Sequence, residues 1–145
     1  MDSVDRAVAC YKEGFNCSQA VLSVYGCQFG LGGETALKLA CGFGGGMRMG
    51  QVCGAVTGAF MVIGLKYGQA EAVDKESKER TYRLVKEFGD KFSSRNGSVI
   101  CKELLGCDIS TREGMKTARE KDLFNSFCPK MVQDAAEILE DMLSV

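Results

Sequence analysis

The sequence predicts an all-α, single-domain bundle of about six to seven helices over residues 1–145, packed around a central glycine-rich buried helix. Two features of pattern and composition and one stretch of sequence carry this. Apolar residues recur at helical spacing in successive stretches, alternating β-branched runs are scarce, and the chain holds one proline. The stretch is residues 42–65, GFGGGMRMGQVCGAVTGAFMVIGL, where a glycine loop runs into a segment free of charge from Val52 to Leu65. That run falls short of the about 20 residues that cross a bilayer, so it reads as a buried helix. Gly50, Gly54 and Gly58 recur every fourth residue and would share a helical face. Each glycine costs a helix about 1 kcal/mol against alanine, so something is expected to approach the backbone there: a neighbouring helix, the partner in a homodimer, or a group bound beside Cys53.

The remaining elements follow in order. Residues 3–13 place Val4, Ala7, Val8 and Tyr11 on one face, and Gly14 stops that helix. Asn16 is a good N-cap, and Gln19 three residues on completes a capping box. The helix it opens puts Cys17, Ala20, Val21 and Val24 on one face and ends at Gly26. Glu34 to Cys41 reads as a short helix, followed by the glycine loop and then the central helix from about Gly50 to Leu65. A charged helix from Ala70 to about Ser93 becomes amphipathic through Leu84, Val85, Phe88 and Phe92. Ser98 is the expected N-cap of a helix over 99–105, which Gly106 closes. Residues 108–124 are polar, with Ser110-Thr111-Arg112-Glu113 a candidate helix start. Cys128-Pro129 opens the final helix, because proline is favoured in the first turn, and Val132, Ala135, Ala136, Leu139, Met142 and Leu143 give it an apolar stripe.

Composition narrows the chemistry. A chain of this length can bury about 70% of its unfolded surface, so it needs no disulfide staples. The net charge of −1 gives no reason to expect nucleic acid or a membrane surface as partner. MDSVDRAVAC shows neither a basic region nor an apolar run, which makes the cytoplasm the expected compartment. There are eight cysteines and no histidine. In a reducing compartment, cysteines in that number point to metal binding or redox chemistry. The missing histidine excludes Ser-His-Asp and Cys-His catalysis, histidine-ligated haem and mixed Cys/His zinc sites.

The cysteines sort by helix position. Cys17, Cys53, Cys101 and Cys128 fall in or at first turns, where unpaired amides and partial positive charge favour a thiolate. Four such positions on four helices can converge on one site. Cys10, Cys27 and Cys41 read as packing residues, and Cys107, six residues from Cys101, is a candidate substitute for it. The loop glycines Gly45 and Gly46, with Gly54, are expected to bring backbone close to that site and to any cofactor in it. Other templates fail. C-x-x-C is absent, Gln51-Val52 stands where a P-loop needs Lys-Ser/Thr, and Met47 and Met49 break the dinucleotide fingerprint. Arg48 is expected at the surface, with a place near the thiolates as the alternative.

Phe15-Asn16-Cys17-Ser18-Gln19-Ala20, Gly44-Gly45-Gly46-Met47, Cys53-Gly54-Ala55-Val56-Thr57-Gly58, Cys101-Lys102-Glu103-Leu104-Leu105-Gly106 and Cys128-Pro129 together resemble the C_GCAxxG_C_C family, described as redox-active. The resemblance runs over nearly the whole chain, and the family's four recurring cysteines fall on Cys17, Cys53, Cys101 and Cys128. It implies a small helical redox protein. Some members are selenoproteins, which suits thiol chemistry. Related domains occur in a multihaem cytochrome of the split-Soret type, whose haem-attachment motif is missing here. Two chemistries are therefore expected for the four cysteines: a thiol/disulfide cycle, or ligation of a metal or iron–sulfur cluster for electron transfer. A non-catalytic structural or interaction module ranks below both. The expected partner is a redox protein or a small-molecule oxidant or reductant.

Overall fold

Side chains placed at the right spacing fix four of the nine helix starts in this chain. The amide of Gln19 donates to Asn16 Oδ1 and the amide of Asn16 to Gln19 Oε1, each at 2.9 Å, so the expected capping box is formed in full. Asp2, Asp74 and Thr111 cap three further helices through their own side chains. The computed structural model describes residues 1–145. Its helices are α1 (Ser3–Lys12), α2 (Cys17–Gly26), α3 (Gly33–Ala40), α4 (Gly54–Tyr67), α5 (Lys75–Asn96), α6 (Cys101–Leu105), α7 (Arg112–Glu120), α8 (Leu123–Ser126) and α9 (Cys128–Leu143). Seven of them have eight residues or more, while α6 and α8 are short. The fold is all-α.

The main core joins α1, α2, α4, α5 and α9. Phe88 and Phe92 of α5 stack on each other, and Phe60 of α4 meets Phe88 edge-on at 6.0 Å. The apolar stripe of α9 is buried as its spacing implies, with Met142 at the margin. Polar ties hold the periphery of α9. Tyr25 donates to Glu140 Oε2 at 2.6 Å, Lys66 to the Leu143 carbonyl at 2.6 Å, and Arg95 reaches both Asp134 and Glu137. A second, much smaller cluster forms from Cys101, Ile109 and Ala118.

The glycine stretch departs from expectation at its front end. Helix α4 starts at Gly54 and not near Gly50, so Gly50 lies outside it, with φ +67°. Residues Gly45, Gly46, Met47 and Arg48 instead have φ of 67°, 63°, 61° and 59°, four successive left-handed residues. Such a turn costs a non-glycine residue about 1–2 kcal/mol, and two of its four positions are not glycine. Residues 51–53 are then extended and pair with 99–101. The amide of Cys53 donates to the Val99 carbonyl at 2.8 Å and that of Cys101 to Gln51 at 2.6 Å, flanking an antiparallel bridge between Val52 and Ile100. This pairing also corrects the start of α6. Val99 and Ile100 belong to the bridge and Ser98 caps no helix; its hydroxyl accepts from the Ile100 amide and donates to Glu103.

Gly54 and Gly58 do share a face, and α2 lies on it. A methyl group at Gly58 would stand 2.9 Å from the Ser18 carbonyl oxygen, and one at Gly54 would stand 3.0 Å from the Ser18 amide and 3.3 Å from Cys17 Cβ. The two helices therefore approach at backbone distance where Cys17 and Cys53 begin them.

Candidate functional site

The bridge between residues 51–53 and 99–101 places Cys53 and Cys101 on the same side of a two-stranded crossing. Diagonal neighbours of this kind lie about 7–8 Å apart. The close α2–α4 contact brings Cys17 to the start of α4, and α9 supplies Cys128 from its first residue. All four cysteines line one cavity of about 400 Å3. Gly45 and Gly54 line it as well, while Gly46 packs behind it, where an added Cβ would meet the Gln51 backbone and Cys101 Cβ. Cys107 is not part of the lining. It lies in the fringe of the small cluster around Cys101.

All eight cysteines are free thiols. Cys17 lies between Cys128 and Cys53 in the cavity wall. Their two sulfurs, more than burial, hold Cys17 protonated. The effect on its neighbours has the opposite sense. Cys53 is lowered chiefly by Cys17, against burial, with the backbone amides of Ala55 and Val56 at the start of α4 adding to the lowering. Cys128 is lowered by Cys17, against burial, with help from the Tyr11 hydroxyl. The three sulfurs are linked in this way and titrate as a unit. Cys101 differs. Burial, then the charges of Cys53 and Cys128, push it up to about 12.

Tyr11 lies beside the same sulfurs. Its hydroxyl donates to the Phe124 carbonyl at 2.7 Å, and the Cys128 sulfur is its second neighbour. Burial, then the neighbouring sulfurs, keep the phenol protonated far above its ordinary value. Sequence reasoning placed Tyr11 on the apolar face of α1 and missed this role, because only the packing of α1 against α9 brings the two residues together.

Two further placements were not read from the sequence. Cys27 and Cys41 are exposed and do not pack in the core; Cys41 lies at the cavity, its carbonyl accepting from Asn16 Nδ2 at 2.9 Å. Cys10 is half-buried against the core and 3.7 Å from the Ser23 hydroxyl. Arg48 is exposed, as its residue type favours, yet it also lines the cavity. No three Cys, Asp or Glu side chains are grouped closely enough, as they stand, to hold a single metal ion. No helix is long and apolar enough to cross a membrane.

A small helical protein with several thiols gathered at helix starts around one cavity is, as a class, equipped for redox chemistry. Comparison with known families agrees with that class. The family model whose description reads "Putative redox-active protein (C_GCAxxG_C_C)" matches residues 15–142. The chain belongs to the C_GCAxxG_C_C family. No curated protein and no solved structure matches it significantly.

Proposed function

We propose that this chain is a thiol/disulfide redox protein of the cytoplasm, acting on a disulfide of a partner protein or of a small molecule. The observation that carries this reading is Cys17 seated between Cys53 and Cys128. In the reductive half, the thiolate of Cys128 or Cys53 attacks one sulfur of a substrate disulfide. A protein–substrate mixed disulfide forms and one substrate thiolate leaves. Cys17 then loses its proton and attacks the protein sulfur of the mixed disulfide, closing an internal disulfide and expelling the second substrate thiol. Two protein thiols are oxidised by two electrons and one substrate disulfide is reduced to two thiols. A thiol reductant reverses the sequence. Cys53 and Cys128 suit attack because their thiolates are favoured, and Cys17 suits resolution because it neighbours both.

A second reading rests on a different observation: four cysteines from four separate segments facing one cavity with room between them. Those donors fit an iron–sulfur cluster better than a single ion, given that no three of them are close enough to share one metal. Cys17, Cys53, Cys101 and Cys128 would hold such a cluster, which would supply one-electron transfer.

Anaerobic purification followed by iron, zinc and sulfide analysis, then thiol counting and peptide mapping after mild oxidation, separates the two. Colourless, metal-free protein that reversibly loses two thiols as a Cys17–Cys53 or Cys17–Cys128 disulfide supports the first reading. Stoichiometric iron and sulfide, lost on substituting any of the four cysteines, replaces it with the second. Eight unreactive thiols and no metal would remove both.

A further inference from the structure

The cavity wall carries two cationic side chains that take no part in the thiol steps proposed above. Lys12 and Arg48 line it and no aspartate or glutamate does, although the chain as a whole is slightly acidic. Neither cation forms an ion pair or a side-chain hydrogen bond, so both are available to a ligand. Arg48 reaches the cavity because of its backbone. In the left-handed turn its guanidinium folds back over Gly45, with Nη1 2.7 Å from where a Cβ of Gly45 would stand. A side chain there would displace it. The rest of the wall is apolar, including Phe15, Leu104, Ile109, Phe124 and Met131. Strained non-glycine backbone is kept where the surrounding structure has a use for the geometry it gives, and a largely apolar pocket with a few polar groups suits a small organic ligand.

The geometry points to a small-molecule site for an anionic, partly aromatic or aliphatic thiol or disulfide, with Arg48 and Lys12 receiving its carboxylate or other anionic group while its sulfur faces Cys128 and Cys53. The identification of the substrate as a sulfur compound rests on the redox reading above; the preference for an apolar anion does not.

The test therefore has two arms. In the first, reduced protein is mixed with the dianionic 5,5′-dithiobis(2-nitrobenzoate) and with the neutral 4,4′-dithiodipyridine, and thiol release is followed as internal disulfide forms. The ratio of the dianion rate to the neutral rate is expected to fall roughly five- to tenfold in Arg48→Gln and by a smaller factor in Lys12→Gln, to be restored largely in Arg48→Lys, and to decline with added salt in the unsubstituted protein. In the second arm, 15N-resolved titrations compare 4-nitrobenzoate with the uncharged 4-nitrobenzamide. The anion is expected to bind tighter, shifting the amides of Gly45 and Arg48, and to lose that advantage in Arg48→Gln. Internal disulfide formation with no charge preference in either arm would overturn this inference and leave the redox reading standing. Selective anion binding without internal disulfide from any reagent would do the reverse.

Discussion

At the scale of single residues, the site is distinguished by linked protons. The protonation of Cys17, Cys53 and Cys128 is interdependent, and Tyr11, bonded to the Phe124 carbonyl, lies beside Cys128. Substituting Cys17 by alanine removes the group that lowers Cys53 and Cys128, so the pH at which those thiols alkylate should move upward. Iodoacetamide labelling resolved by mass spectrometry would show this as slower reaction at both positions near pH 7; unchanged rates would mean that the α4 amides and Tyr11 suffice. Tyr11→Phe should slow Cys128 and leave Cys53 nearly unaffected. Cys101 gives a separate pH signature. Its proton is held up to about 12 in the fold against an ordinary 9.0, so between those values the unfolded chain has lost a proton that the folded chain keeps. Stability should therefore fall as pH rises from about 9 to about 12, and thermal melts of Cys101→Ala should fall less over that interval. The four cysteines could be singled out from sequence because a first-turn position is a local property, readable from caps such as Asn16 and from Pro129. Tyr11 and Cys41 could not, since what matters about each is a neighbour more than 20 residues away in the chain.

At the scale of elements, the two informative ones are those that periodicity cannot reveal. A left-handed turn through Met47 and Arg48 has no residue signature, because the cues for that conformation are glycine and asparagine and half of this turn is neither. The Val52–Ile100 bridge joins positions that no local pattern relates. Both lie just ahead of α4, so the sequence-based helix start fell several residues early while its end and its buried face were read well. Met47→Gly should relieve about 1–2 kcal/mol of backbone strain and give back about 0.5–1 kcal/mol through the freer unfolded chain. A net stabilisation between about 0 and about 1.5 kcal/mol is the expected result of urea melts; a loss would mean that the Met47 side chain contributes more than its backbone costs. Gly58→Ala works in the other direction. Its methyl group would stand against the Ser18 carbonyl, a backbone atom with no rotamer to escape into. A loss of about 1–3 kcal/mol is expected, as for other overpacked sites, with the start of α2 and hence Cys17 displaced from Cys53.

At the scale of the whole molecule, the cavity lies at the seam between two packing units of unequal size. Cys53 belongs to the main core of 22 buried residues and Cys101 to the cluster of three formed with Ile109 and Ala118. Local opening follows buried contact, so α6 and α7 should exchange amide hydrogens faster than α2, α4 and α9. Native-state exchange would show this as an opening free energy for α6–α7 well below the global value, and equal protection would mean that the bridge ties both units into one. The fold class was legible because the stripes of α5 and α9 are long and regular. The seam was not, because α6 and α8 are short, α7 is largely polar, and all three are held mainly by what they touch. One consequence concerns synthesis. Cys128 heads α9, and α9 follows every other helix in this chain. A growing polypeptide that has already made Cys17, Cys53 and Cys101 still lacks the sulfur and the helix that complete the thiol relay. The Cys17–Cys53 half of the site can therefore form with α2 and α4, while the Cys128 half is completed last, when α9 docks against α1 and α2.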